Sequence, residues 1–315
     1  MKTKIIIAAL LLAITGLIWA AKSNKPPAKS LSAKEKADFQ KYWQNGQAEI
    51  SRFSIKQARY GELHQGHEVL VFVTENFLKD KQVKLDTEYR SGAEAVLKLN
   101  RIRRFTTGIY DYSMMTSVFK PFDVARFQQA LKVTMSSQDW CGHTFLQFNN
   151  RGNKFAVSSY SYFELEGDEK YNIDAATLED ELLNTIRLSP TLLPIGKLQL
   201  IPMGAVLRLR HKKARVVNAT ATLAPYSGKD LPGKNLQQYS LSYENGRRKF
   251  SVTFEKEHPH LIAGFTDTYK SGWGTSSKEL TTRAVRTHLH RSAYWQENSV
   301  KNQALRRKLG LPAGL

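Results

Sequence analysis

Residues 236–255 read LQQYSLSYENGRRKFSVTFE. Apolar and polar residues alternate on both sides of Asn245-Gly246, and successive side chains of an extended strand point to opposite faces. Asn-Gly is favoured in tight hairpins because both central residues of a type I′ turn need positive φ. A two-residue loop pairs Glu244 with Arg247, Tyr243 with Arg248, Leu241 with Phe250 and Tyr239 with Val252. That register collects Tyr239, Leu241, Tyr243, Phe250, Val252 and Phe254 on one apolar face. Ser240, Ser242, Lys249, Ser251 and Thr253 fall on a wet one. The stretch therefore predicts an antiparallel hairpin with one buried side.

The same alternation recurs elsewhere. Residues 136–148, SSQDWCGHTFLQF, read as a strand with Trp140, Gly142, Thr144, Leu146 and Phe148 on one face. Asp139, Cys141, His143, Phe145 and Gln147 take the other. Lys154–Phe163 also alternates, and 149–153, NNRGN, is turn chemistry. A hairpin is expected there, with His143 opposite Tyr160 and Cys141 opposite Tyr162. Glu68–Thr74, Ala95–Asn100 and Leu261–Tyr269 are further strands. In the strand Gln47–Tyr60, Ile50 and Phe53 differ in parity, which predicts a bulge between them. A helix is expected from Ser32, where Ser32 and Glu35 form a capping box, with Phe39, Tyr42 and Trp43 at helical spacing. Two more are expected over Asp174–Ile186 and from Ser276 to about Tyr294, and Arg208–Arg215 reads as a charged hairpin tip. The fold class that follows is mainly antiparallel β, of α+β type. It is a large curved sheet or half-barrel with a few peripheral helices.

The 315-residue chain carries a formal charge of +19. Such an excess favours anionic partners. An anionic lipid or glycan of the envelope fits this better than nucleic acid, and peripheral membrane contact is compatible with it. The single cysteine excludes an intramolecular disulfide and a multi-cysteine metal site. Residues 1–21 join a basic start to an apolar run, the pattern of a signal peptide or N-terminal anchor. Residues 22–31 are a linker, 32–295 a single β-rich domain and 296–315 a basic C-terminal tail. This organisation predicts export to the periplasm or cell envelope. No P-loop, GxSxG or GxGxxG is present, no metal site is expected and no cofactor is implied.

Two groups of residues carry candidate chemistry. Cys141 and His143, with Asp139 beside them, resemble a nucleophile, a base and an orienting acid. Residues two apart on a strand are roughly 6.6 Å apart, which argues for a packed thiol over a catalytic one. Arg101, Arg103, Arg104, Tyr110 and Tyr112, with Tyr160 and Tyr162, form the densest mix of cations and aromatics, suited to phosphates or glycans.

The segments QARYGELHQGHEVLVFVTENF, LKLNRIRRFTTGIYDYSMMTSVFKP and KVTMSSQDWCGHTFLQFNNR resemble a family of exported bacterial proteins of unknown function, often labelled septum formation inhibitor Maf. That label implies a nucleotide pyrophosphatase with a Ser-x-Arg-Arg phosphate motif. The motif is absent after the first strand here, so the resemblance transfers no catalytic residue. The strand-rich layout is also similar to periplasmic half-barrels of the lipoprotein-carrier type. The reading that follows is an envelope protein that binds or carries an anionic or amphiphilic component. The alternatives are an envelope hydrolase or acyltransferase using Cys141 with a His, and a division-associated interaction protein.

Overall fold

The computed structural model describes residues 29–88 and 91–312, so the expected signal or anchor and most of the linker lie outside the described residues. The chain forms β1 (Ala48–Arg59), β2 (Glu62–Leu78), β3 (Val83–Lys84), β4 (Ala93–Thr107), β5 (Tyr110–Pro121), β6 (Lys132–Asp139), β7 (Gly142–Asn150) and β8 (Lys154–Tyr160). It continues through β9 (Glu169–Asp174), β10 (Thr177–Leu178), β11 (Gly196–Ile201), β12 (Val217–Pro225), β13 (Leu236–Tyr243), β14 (Arg248–Glu255), β15 (Ile262–Ser271) and β16 (Lys278–Ser292). The α-helices are α1 (Ala33–Trp43), α2 (Leu182–Leu188) and α3 (Gly204–Leu209).

All sixteen strands belong to one sheet, ordered β10-β11-β12-β13-β14-β15-β16-β1-β2-β4-β5-β6-β7-β8-β9 with β3 beside β2. Every pairing is antiparallel except β10 with β11. The fold is thus mainly antiparallel β, a large curved sheet. Its two terminal strands, β9 and β10, are separated in the chain only by Ala175-Ala176. A residue spans at most roughly 3.6 Å, so the sheet must curl until its ends nearly meet.

A sheet this broad encloses more space than strand side chains can fill; about eight strands is the number they fill alone. The chain supplies the difference itself. Every residue of α2 and α3 is buried, so both helices lie inside the curl. α1 instead sits at one end, where Phe39 stacks on Phe122 with ring centroids 4.0 Å apart and Trp43 lies against Phe72. Its Ser32–Glu35 capping box is formed as expected.

The 236–255 hairpin has the expected register, Tyr239 opposite Val252 and Leu241 opposite Phe250, with all four buried. Its turn is a short 3-10 segment, Glu244–Gly246. Four other expectations are corrected. Residues 278–292 form a strand bonded to both β15 and β1, where a helix was expected. Thr281, Thr282, Val285 and Thr287 are β-branched, and pairing on both edges outweighs the capping pattern at Ser276 and Glu279. Residues 136–148 are two strands that turn at Trp140-Cys141. Arg208 lies on a buried helix, not a hairpin tip. The expected helix over 174–186 is shorter and later, though Leu178, Leu182 and Ile186 are buried as anticipated.

The inner face is unusually ionic. Glu68 of β2 accepts hydrogen bonds from both Arg101 and Arg103 of β4. Arg248 of β14 bridges Glu179 and Asp267, and Arg187 of α2 pairs with Glu49. Lys120 of β5 pairs with Glu181 at 2.8 Å. These pairs tie the enclosed segment to the wall, because a buried charge is tolerated only beside a partner.

Candidate functional site

Antiparallel alternation puts the β1–β2, β4–β5, β6–β7, β8–β9, β13–β14 and β15–β16 connections at one end of the curled sheet. The opposite end carries α1. The β11–β12 connection, which carries α3, lies at the first end as well, and large apolar side chains stand exposed at the turns around it. Ile109 is 82% exposed, Trp140 71%, Leu165 97% and Trp273 60%, each from a different connection. Exposed apolar side chains scattered singly need no explanation, but four gathered at one mouth do.

Beneath them lies an aromatic and cationic ring. Tyr60 has φ +54, and its hydroxyl lies 2.6 Å from that of Tyr112 and 2.9 Å from that of Tyr110. The Arg59 guanidinium lies 4.2 Å from the Tyr60 ring centre, bonds Tyr112 at 3.2 Å and donates to the Leu209 carbonyl of α3 at 2.5 Å. Trp273 packs on Tyr60, and Trp140 on Tyr110. Burial pushes the Tyr60 and Tyr112 hydroxyls above the ordinary phenol range, so both stay protonated donors.

A cavity of about 240 Å³ opens between β7–β9 and α3. Arg208, Thr144, Ser159, Leu146, Leu207 and His211 line part of it. Arg208 is 7% exposed, and its Nε has no hydrogen-bond partner. Its contacts with His211 are 3.4 and 3.5 Å, and Asp139 is 3.9 Å away. Phe163 covers its face at 4.8 Å, and Tyr162 leans against it from the rim. The Thr144 hydroxyl is buried and unpartnered as well. A buried guanidinium so loosely paired is costly unless something else approaches it. Glu166 bonds His211 at 2.6 Å and Glu169 pairs with Lys213 at 2.8 Å, which ties the β8–β9 segment to the residues after α3 beside this cavity.

The structure separates the residues singled out from sequence. Asp139, Cys141, Tyr110, Tyr112 and Tyr162 meet at the mouth. Arg101 and Arg103 do not; they point inward and are committed to Glu68. Burial alone would raise Glu68, but the two guanidinium groups outweigh it and hold the carboxyl below its usual range. Arg104 is exposed on the outer face of the sheet. His143 is exposed and is not part of the cavity lining, whereas Tyr160 lies opposite Phe145 and both contribute to the cavity wall. The β7–β8 register puts Phe145 opposite Tyr160, two residues from the expected pairing, which preserves the faces.

Cys141 is exposed at the tip of the β6–β7 turn, which corrects the expectation of a packed thiol. Its backbone N–H donates to Asp139 at 2.7 Å, an arrangement that closes a turn. Asp139 is thereby a turn former that also faces Arg208. Thiol reagents should modify the native protein at the rate of an open cysteine, and Cys141→Ser should shift stability by less than about 0.5 kcal/mol. Slow labelling, or a clearly lower melting temperature in the Ser variant, would contradict the exposed position.

Arg59, Tyr60, Trp273 and Arg208 were not singled out by sequence. Tyr60-Gly61 and Gly272-Trp273-Gly274 are turn signatures carrying aromatics, and that was the available signal. Among the described residues no group of three or more His, Cys, Asp or Glu is placed to hold a metal ion, and no helix is long and apolar enough to cross a membrane.

No family model matches the chain, and no curated protein matches it. A solved structure that does match is the crystal structure of a beta-barrel-like protein of domain of unknown function DUF1849 from Brucella abortus. The two are 8% identical with a TM-score of 0.44, over 78% of this chain and 98% of that one.

Proposed function

We propose that the protein binds or carries an anionic amphiphile of the cell envelope at the end of the sheet that carries these apolar turns. The observation that carries this reading is the loosely paired, buried Arg208 in a cavity at a mouth rimmed by Ile109, Trp140, Leu165 and Trp273. The cavity is too small for a whole lipid but suits a head group, with Thr144 and Arg208 supplying unused polar atoms. The apolar turn tips would cover the first part of the tail. The enclosed helices α2 and α3 occupy the centre of the curl, so the tail is placed across the rim.

Titration with dodecyl phosphate below its micellar concentration, read by tryptophan emission, tests this. Saturable binding is expected, weakened at least tenfold by Arg208→Met. Leu165→Ser should weaken it by a comparable factor, since covering a leucine is worth about 1.5–3 kcal/mol. A dodecyl trimethylammonium probe should bind much more weakly. Equal affinity for both probes, or no effect of Arg208→Met, would end the proposal.

A further inference from the structure

The outer face of the sheet carries a second, separate cationic site. In β1 the side chains alternate regularly, so Arg52, Ser54 and Lys56 point away from the interior while Phe53 and Ile55 are buried within it. The irregularity expected between Ile50 and Phe53 falls in the pairing with β16, where Arg52 lies opposite His288, Phe53 opposite Arg286, and Thr287 is the extra residue. Ile50 therefore faces outward. It is buried because the C-terminal 3-10 segment, Val300–Leu309, crosses this face and sets Leu309 against a small cluster of Ile50, Val71 and Val73. This segment of the basic tail is thus docked on the sheet.

That docking brings Arg306 toward strands already carrying outward cations. The register places His67 of β2 opposite Ser54 on one side and opposite Arg104 of β4 on the other, with Arg52 two residues along β1. Burial first, then the charges of Arg52, Arg104 and Arg306, push His67 below the ordinary imidazole range. The fields of all three arginines converge there, and Asp111 stands farther along the same face, opposite Thr106. Arg52 bonds only the Thr287 hydroxyl, at 3.2 Å, and its Nε is buried without a partner. Among the described residues none of these three arginines makes a salt bridge. Arg283 and Arg286, farther along β16, are by contrast paired with Asp230 and Glu255.

The cluster adjoins a groove of about 560 Å³ that runs across β2, β4, β5 and β6; Arg104 lines it, while Arg52 and Arg306 stand beside it across His67. His67 and Arg104 lie at one part of it, Gln65, Ser113 and Gln138 along it, and Trp140 beside the mouth. Gly66 lies in the lining, and a side chain there would strike the backbone of Arg104 and Phe105. The channel is polar, with amide and hydroxyl groups and the carboxylates of Asp111 and Asp139 between the cations and an indole; Asp111 is exposed and accepts from the Thr106 hydroxyl, so it faces sugar hydroxyls rather than the anionic groups.

We infer that this outer groove binds a strand of an anionic glycan, with Arg52, Arg104 and Arg306 holding its carboxylate or phosphate groups. Gln65, Ser113 and Gln138 offer hydrogen bonds to sugar hydroxyls, and the Trp140 ring offers a face for a sugar to stack on. A groove that crosses four strands between hydrogen-bonding walls favours a polymer chain over a flat membrane. Bidentate guanidinium groups match carboxylate and phosphate geometry.

The test uses the full folded protein, oligogalacturonate of about ten residues as the anionic probe and a neutral glucan of equal length as control. Calorimetry should show binding to the anionic oligomer that weakens as salt is raised, because charge contacts at the surface are screened. The Arg52→Gln/Arg104→Gln/Arg306→Gln variant, checked to melt like wild type, should lose at least tenfold in affinity and most of the salt dependence. If that variant folds poorly, Arg104→Gln alone, at an exposed side chain, should still lose about threefold. Arg208→Met should leave this binding unchanged, which separates the groove from the mouth. Equal binding of the neutral glucan, unchanged affinity in the arginine variants, or binding to anionic vesicles without binding to the oligomer would overturn the inference.

Discussion

Replacing Glu68 by glutamine is expected to destabilise the protein by about 3–5 kcal/mol, the range for removing one partner of a buried ion pair. Glu68 is fully buried on β2 and is the carboxylate that holds both Arg101 and Arg103, which are 6% and 7% exposed. Each guanidinium has other contacts. Arg101 reaches the Met203 sulfur at 3.0 Å and lies 4.7 Å from the centre of the Phe265 ring, and Arg103 donates to Gln57 at 2.7 Å. None of these is an anion, so the neutral amide would strand two positive charges in the interior. The melting temperature should drop by on the order of 10 °C for a chain of this size. Adding Arg101→Met to the Glu68→Gln protein should recover part of the loss, because one stranded charge disappears. A Glu68→Gln protein that melts like wild type would show that the pair of arginines is satisfied by something other than this carboxylate.

The same triad shows what was legible in the sequence and what was not. Period-two alternation identifies strand faces, so Leu241 and Phe250 are found opposite one another and buried as read. It also places Arg101 and Arg103 on one face of β4, together with Leu97, Leu99 and Phe105. Local pattern cannot show that this face meets a carboxylate 33 positions upstream of Arg101, so the arginines read as solvated or ligand-binding. Burial of a charge depends on its tertiary partner. The capping pattern at Ser276 misled for a related reason. A Ser and a Glu three residues apart stabilise a helix end only if nothing better is offered, and β15 and β1 offered two hydrogen-bonded edges. The mouth was half visible. Tyr110, Tyr112 and Tyr162 stood out as aromatics near basic residues, while Arg59 and Arg208 needed the curl of the sheet to bring β1 and α3 together. Arg208 looked like one of a run of surface cations because a short buried helix inside a sheet has no amphipathic stripe to read.

Titration of Asp180 should cost this protein stability as pH rises from about 4 to about 7, and Asp180→Asn should remove that contribution. Asp180 is buried, and desolvation lifts its pKa from the ordinary 3.8 to about 7, with Glu179 adding to the rise. One carboxyl oxygen accepts from the Gly204 N–H at 2.9 Å and the other has no partner. In the unfolded chain the group ionises near 3.8, whereas in the folded chain it keeps its proton up to about 7. Between those values the folded state holds more protons, so stability falls as pH rises, and the cost is complete above about 7. The gap corresponds to about 4 kcal/mol. His260 acts in the opposite sense. Burial lowers it from 6.5 to about 4, so its contribution is lost as pH falls between those values. The two slopes nearly cancel between about pH 4.5 and 6, and the wild-type profile there is expected to be flat as far as these groups set it. The difference between wild type and Asp180→Asn isolates the first group. The introduced amide keeps a carbonyl oxygen for the Gly204 N–H, and any packing cost of its NH₂ group is the same at every pH. Urea unfolding at about pH 4.5, 6 and 8 should show the variant gaining on wild type by a total of about 3–4 kcal/mol, mostly complete by about pH 7.5. Parallel wild-type and variant profiles would mean that Asp180 ionises in the folded protein as it does in the open chain, with Arg101 and Arg248 near enough to hold its charge.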